Sequence, residues 1–217
     1  MMQNKKITLF RLELVLSAMM FVMPEAVFAQ RPQEIVGSME QLLESRKGEG
    51  LVMEIKMSVP VVGSMTMKVS TLGARSKTEI RVSERTIVSW SDGQTVWSYE
   101  AKADELVIRD ASAGTDGKTD FLYSLTSTHD CRLKGSTAEA WCIECTRLKS
   151  AKDKDIPRKI TLWVDRKTHM PLSVKTTLSG AKMSIENIAF GCAEEDVTFD
   201  ASLFEGVRYL DLRKQTP

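Results

Sequence analysis

Trp90-Ser91-Asp92-Gly93-Gln94-Thr95-Val96-Trp97-Ser98-Tyr99 reads as the tip of a β-hairpin. Residues 86–90 are rich in β-branched and aromatic side chains, Asp92-Gly93 is a strong two-residue turn signal, and Thr95 to Tyr99 resume strand chemistry. Val88 and Trp90 point to one face of the first arm. Trp97 and Tyr99 share a face of the second by the same period of two. Two of the four tryptophans therefore sit in one hairpin, either as core or as walls of something the core encloses.

Outward from this hairpin, period two dominates everything after Gly50. Leu51, Met53, Ile55, Met57 and Val59 alternate with Val52, Glu54, Lys56 and Ser58. Past a turn at Pro60 and Gly63, Met65, Met67 and Val69 alternate with Thr66, Lys68 and Ser70. The same chemistry predicts strands over 77–82, 105–109, 127–133, 140–148, 158–165, 172–178 and 182–190. Residues 110–119 are a polar, glycine-bearing loop, 149–157 a charged loop, and 120–125 a short helix. Short connections predict antiparallel neighbours in sequence order.

Ahead of the strands, residues 32–46 form the one convincing helix. Ile35, Met39, Leu42 and Leu43 make a single apolar stripe, Pro32 suits the first turn, and Gly48 and Gly50 stop it. One helix before ten or eleven strands makes a mainly β (α+β) protein. Its antiparallel sheet must curl or close to protect its edges, with the helix covering its apolar face.

The first 29 residues read as a cleaved signal peptide. Lys5, Lys6 and Arg11 precede the apolar run 14–23, and Val27-Phe28-Ala29 supplies small residues before Gln30. A run of ten residues falls short of the roughly 20 a spanning helix needs. The residue after the site is Gln30, not Cys, so no lipid anchor is expected there. Residues 30–217 are then one exported domain, formally neutral once the leader's three basic and two acidic residues are gone. Neutrality argues against a nucleic-acid partner.

Cys131, Cys142, Cys145 and Cys192 are an even set, which in an exported chain suggests disulfides with three possible pairings. A four-cysteine zinc site or a redox-active Cys142-Ile143-Glu144-Cys145 are the alternatives. On a strand, however, Cys142 and Cys145 face opposite sides, which suits neither. The favoured pairing is Cys131–Cys142 across a hairpin, leaving Cys145–Cys192. Catalytic signatures are otherwise lacking: His129 and His169 have no nucleophile motif nearby, and no HExxH, GxSxG or phosphate loop occurs. No catalytic residue, cofactor or metal is expected.

Methionine is the unusual quantity, 12 in all, with Met53, Met57, Met65 and Met67 on one face of the first two strands and Met39 on the helix stripe. Such residues either fill a core or line a surface that accepts varied apolar partners. A sheet too large for one helix to cover leaves a cavity suited to acyl chains.

Three stretches carry a family resemblance. Ser91-Asp92-Gly93-Gln94-Thr95-Val96-Trp97-Ser98-Tyr99 resembles the SDGKTLWxYD hairpin of the periplasmic outer-membrane lipoprotein carriers (LolA-like). Residues 159–172 are similar to that family's I-x-L-W-[IV]-D-x-x-T-x-x-P strand pair. The ending 196–207, with Phe199, Phe204 and Gly206, resembles its F-x-[FL]-x-x-P-x-G tail.

The resemblance implies an unclosed half-barrel with a helical lid over an apolar cavity. It further implies a monomeric periplasmic carrier that takes lipoproteins from an inner-membrane ABC transporter to an outer-membrane receptor. The expected cavity lining is Met39, Leu42 and Leu43 on the helix, Met53, Ile55, Met57, Met65 and Met67 on the first strands, and Trp90, Trp97 and Trp163. Two departures mark a divergent branch: the cysteines, and the absence of the family's lid-tying arginine, whose position falls near Thr78, with Lys77 and Arg75 close by. A lipid-sensing regulatory protein on the same scaffold is the runner-up function, and a thiol-disulfide oxidoreductase using Cys142 and Cys145 the third.

Overall fold

A computed structural model describes residues 31–60, 63–111, 121–153, 156–178 and 180–213. The signal-peptide reading and most of the 110–119 loop lie outside them. The opening hairpin is formed by β4 (Arg85–Ser91) and β5 (Thr95–Glu100). Asp92 makes its turn: one carboxylate oxygen accepts the Gln94 N–H at 2.8 Å and the Thr95 N–H at 2.7 Å, and Gly93 supplies a φ of 89°. Those two N–H bonds, the one to Thr95 foremost, hold the Asp92 carboxyl below its usual pKa.

Around it run β1 (Leu51–Val59), β2 (Gly63–Leu72), β3 (Arg75–Val82), β6 (Glu105–Asp110), β7 (His129–Ser136), β8 (Ala140–Arg147), β9 (Lys159–Asp165), β10 (Pro171–Leu178), β11 (Ala181–Phe190) and β12 (Arg208–Asp211). Among the described residues these form one twelve-stranded sheet in the order β12-β6-β5-β4-β3-β2-β1-β11-β10-β9-β8-β7. It is an open half-barrel. Consecutive strands are antiparallel neighbours within β1–β6 and within β7–β11, as short turns require. The order breaks twice. The chain leaves β6 and re-enters at the opposite edge as β7, so the sheet is joined at its centre by β1 pairing with β11, Ile55 opposite Ile185. The final strand β12, absent from the sequence-based expectation, lies parallel to β6, with Arg208 opposite Glu105 and ion-paired to it at 3.3 Å.

Helix α1 (Pro32–Ser45) buries Ile35, Val36, Met39 and Leu43 against the sheet. Each side chain withdrawn this way is worth roughly 1.5–3 kcal/mol. Their core includes inner-face residues of β1 and β7–β11, such as Met53, Ile143, Leu162 and Ile185, and no residue of β4, β5 or β6. Polar contacts orient the helix. Gln33 donates to the carbonyls of Thr126 (2.9 Å) and His129 (3.2 Å) and accepts the Cys131 N–H at 3.2 Å. Glu40 accepts from the backbone N–H (2.8 Å) and hydroxyl (2.5 Å) of Thr126, in the short helix α2 (Leu125–Thr128). Gly50 ends the helical segment where nothing larger fits: a Cβ there would lie 2.6 Å from that of Cys192 and 2.7 Å from the Thr71 carbonyl oxygen.

A second core covers the other face of the sheet. Trp90, Leu106 and Phe204 are its buried centre, with Val88, Trp97, Tyr99, Phe199 and Val207 around them. The Trp97 and Phe199 rings stack at 4.9 Å, and Phe204 meets Trp90 at 5.6 Å and Tyr99 at 5.0 Å. Phe199 lies just beyond the short helix α3 (Glu194–Val197). Two of the motifs behind the family resemblance, far apart in the chain, thus pack on each other.

His129 is 1% exposed at the start of β7. Its Nε2 donates to the Pro157 carbonyl at 2.9 Å, since a carbonyl only accepts, and Nδ1 lies 2.8 Å from the Thr128 hydroxyl. Burial holds its pKa below the ordinary histidine value, against the bond to Pro157. The unfolded chain therefore takes up a proton below about pH 6.5 that the folded chain refuses. Its stabilising contribution is whole above that pH and is lost as pH falls toward the depressed value. Urea unfolding midpoints of the wild type should drop between pH 7 and pH 5, and His129→Gln should flatten that slope.

Candidate functional site

The site follows from strand register. Residues directly opposite one another in a sheet share a face. Met53 opposes Val69, Val69 opposes Thr78, Thr78 opposes Ser89, and Ser89 opposes Ser98. One row over, Ile55, Met67, Ile80 and Ile87 follow in the same way. This is the face that carries α1, but the helix covers only part of it. The uncovered part holds a groove of about 760 Å³, within the roughly 300–1,000 Å³ of small-ligand sites.

The groove has two chemistries. One end is walled by Met53, Ile55, Met67, Val69 and Ile80, with Tyr123 and Phe190 at the side toward the helix. The other is a hydroxyl patch of Thr78, Ser89, Ser91 and Ser98. The Ser89 and Ser98 hydroxyls are 2.9 Å apart, and the exposed Arg109 donates to the Ser98 hydroxyl at 3.2 Å. The helix side of the groove carries cations stacked on its aromatics: the Arg46 guanidinium lies 4.1 Å from the Phe190 ring centre and the Lys47 ammonium 5.4 Å from that of Tyr123. An amphiphile, apolar at one end and anionic or hydrogen-bonding at the other, matches this layout.

A second, larger depression of about 970 Å³ opens where β1, β2, β10 and β11 turn, with Met57, Met65 and Met183 among its walls. It is the more open of the two. Its Lys56 already pairs with Glu186 at 2.9 Å and Lys159 with Glu144 at 2.8 Å. The lining is basic, with Lys56, Arg147, Arg158, Lys159, Lys175 and Lys182 and no carboxylate among the described residues, so an apolar chain there would lie against hydrated cations.

The expected site residues separate accordingly. Met53, Ile55 and Met67 line the groove, and Met57 and Met65 the second depression. Met39 and Leu43 are fully buried between helix and sheet, Leu42 is half-buried, and none of the three reaches either depression. Trp97 and Trp163 require a correction, since neither reaches either depression. Trp97 pairs with Trp90, which opposes Lys77 on the face away from α1, so both lie on the outer side. Trp90 borders the groove, yet its ring packs on Phe199 and Phe204. Trp163 opposes Cys142, also on the outer face, while its neighbours Leu162 and Val164 are buried with the helix. Trp141 is the tryptophan that packs against the helix-side core.

Val69, Ile80, Tyr123, Phe190, the hydroxyl patch and Arg109 are among the groove residues the sequence reading missed. Carrying the register outward from Met53 through each successive tight turn identifies those on β2–β6. At the expected position of the lid-tying arginine, Thr78 faces the groove, while Lys77 stacks over Trp90 on the outer face at 5.6 Å and Arg75 pairs with Glu194.

The four cysteines are free thiols, all buried. Cys142 and Cys145 do face opposite sides: Cys142 opposes Trp163, and Cys145 opposes Ile160 in the helix-side core. The expected Cys131–Cys142 pairing is corrected by the same register, because Cys142 opposes Gly135 and Cys131 opposes Cys145. Among the described residues, no three His, Cys, Asp or Glu side chains gather as metal ligands, and no helix is long and apolar enough to cross a membrane.

No protein-family model matches this chain, and no curated protein matches it. Solved structures do. An uncharacterized conserved protein from Thermus thermophilus is similar at 13% identity and a TM-score of 0.48, over 82% of this chain and 98% of that one. A LolA superfamily protein from Nitrosomonas europaea is similar at 13% identity and a TM-score of 0.35, over 80% and 100%. A putative outer membrane lipoprotein-sorting protein domain from Vibrio parahaemolyticus is similar at 11% identity and a TM-score of 0.34, over 78% and 99%.

Proposed function

We propose that this protein is a non-catalytic periplasmic carrier that holds the acyl chains of lipoproteins in the groove between α1 and β1–β5 and conveys them between membranes. The observation that carries the reading is the apolar wall of half-buried Val69 and Ile80, with Met53, Ile55 and Met67 buried behind them, where α1 stops covering the sheet. Each methylene buried there is worth roughly 0.8 kcal/mol, so even a short acyl segment gains useful affinity. Flexible methionines suit chains that must be held without a unique fit and then released. The hydroxyl patch and Arg109 offer hydrogen bonds and a positive charge to a polar head group.

On this reading the partners are an inner-membrane ABC lipoprotein-release transporter and an outer-membrane receptor, with the protein a soluble monomer between them. The test is direct. Purified from a periplasmic extract and extracted with organic solvent, the protein should yield acyl lipid by mass spectrometry. Delipidated, it should take up a fluorescent fatty acid that a triacylated lipopeptide displaces and the deacylated peptide does not. No bound lipid and no uptake would sink the proposal.

A further inference from the structure

The edge hairpin β7–β8 places two cysteines directly opposite each other, Cys131 against Cys145. The backbone hydrogen bonds identify the kind of site. Leu148 donates to the Thr128 carbonyl at 2.8 Å, and Arg147 donates to the Arg158 carbonyl of the next strand at 2.9 Å. Backbone groups along β8 therefore alternate: Leu148 bonds toward β7 and Arg147 toward β9. Two residues on, Cys145 again bonds toward β9, which makes Cys131–Cys145 a non-hydrogen-bonded pair. In such pairs the Cα atoms lie about 4.5 Å apart with side chains on one face, inside the roughly 4.4–6.8 Å window that a disulfide spans. The other thiols are badly placed: Cys142 points to the opposite face, and Cys192 abuts Gly50 at the end of β11.

We propose that Cys131 and Cys145 are oxidised to a cross-strand disulfide that staples the edge hairpin where Gln33 ties helix α1 to β7. The reaction is thiol–disulfide exchange. A disulfide oxidant accepts the two electrons and two protons of the protein thiols, its own S–S bond breaking to two thiols as the Cys131–Cys145 S–S bond forms. Both thiols are buried, with exposures of 7% and 0%. The Cys145 thiol is pushed far up in pKa by its hydrogen bond to Cys131 and by burial, so its reactive thiolate is scarce in the folded chain. Oxidation therefore belongs to folding, before α1 closes over the hairpin. The bond would also hold an edge strand that has a neighbour on one side only.

The experiment is refolding of the 30–217 chain in a glutathione redox buffer, followed by thiol blocking, digestion and mass mapping. A single linkage between the Cys131 and Cys145 peptides is expected, with Cys142 and Cys192 alkylated. The natively folded reduced protein should form it at least tenfold more slowly than the refolding chain. Reductant should lower the thermal midpoint by about 6–12 °C, the effect of opening a loop of this length in a chain of this size. Cys131→Ser should abolish that dependence. Should that variant fail to fold, the double variant C142S/C192S carries the test, and it should keep one disulfide and the full midpoint shift. Four alkylated thiols after oxidative refolding, a linkage through Cys142 or Cys192, or a midpoint indifferent to reductant in C142S/C192S would each overturn the proposal.

Discussion

Ile80→Glu should weaken uptake of a fluorescent fatty acid by about 100-fold while leaving the protein folded. Ile80 sits in the uncovered half of the inner face, half-buried, on the apolar wall of the groove. A carboxylate there holds water in the groove. Denying it to about four methylenes costs roughly 3 kcal/mol, which is the 100-fold. The folded state tolerates the change because Ile80 packs against the rim of the helix-side core and is not one of its buried members. Ile80→Leu keeps both volume and polarity and should bind within about threefold of wild type. Titration of both purified variants, with circular dichroism as a check on folding, distinguishes a blocked groove from a damaged protein. Equal affinity in Ile80→Glu and wild type would place the ligand elsewhere.

Phe204→Ala should cost about 3–5 kcal/mol of stability, the range for emptying a buried aromatic site. Phe204 is 7% exposed and sits at the centre of the outer core, with ring contacts to Trp90, Tyr99 and Phe199 at 5.0 to 5.6 Å. Nothing nearby is free to fill the hole, because Trp90 and Trp97 are held by the hairpin register and Phe199 by its stack on Trp97. Beyond the lost midpoint, about 6–20 °C for a chain of this size, the emission of Trp90 and Trp97 should shift to the red as water reaches them. The groove lies on the other face, so any folded fraction should bind the acyl probe normally.

Local features were readable from the residues because local physics decides them. The apolar stripe Ile35, Met39, Leu43 specified a helix that buries those three side chains, and the strand bounds at Leu51–Val59 follow directly from alternation. Asp92-Gly93 specified its turn through one carboxylate and one left-handed φ. Asp165 repeats the device at the next motif, accepting the N–H groups of Lys167 at 2.9 Å and Thr168 at 2.7 Å. Met53 and Met67 reach the groove for the same reason, since they belong to a run whose face is clear within two strands.

What the residues left undecided was which face of the opening hairpin is the inner one. Val88 and Trp90 alternate with Ser89 and Ser91 as strictly as Met53 and Met67 alternate with their polar neighbours. A serine row therefore looked like the outside and a tryptophan row like the inside. Tertiary structure reversed this: the serines line the groove with Arg109, and the tryptophans are sealed by Phe199 and Phe204 from the far end of the chain.

The sequence by itself determined the helix, the strands, the turns and the pairing of successive strands through short loops. Only the tertiary structure decided that β1 meets β11, that the chain crosses to the far edge between β6 and β7, and that β12 adds in parallel. With those it decided which rows of side chains meet the helix and which meet the tail. The physical reason is that alternation defines two faces without giving either a sign. The sign comes from long-range partners, here a helix on one side and two phenylalanines on the other.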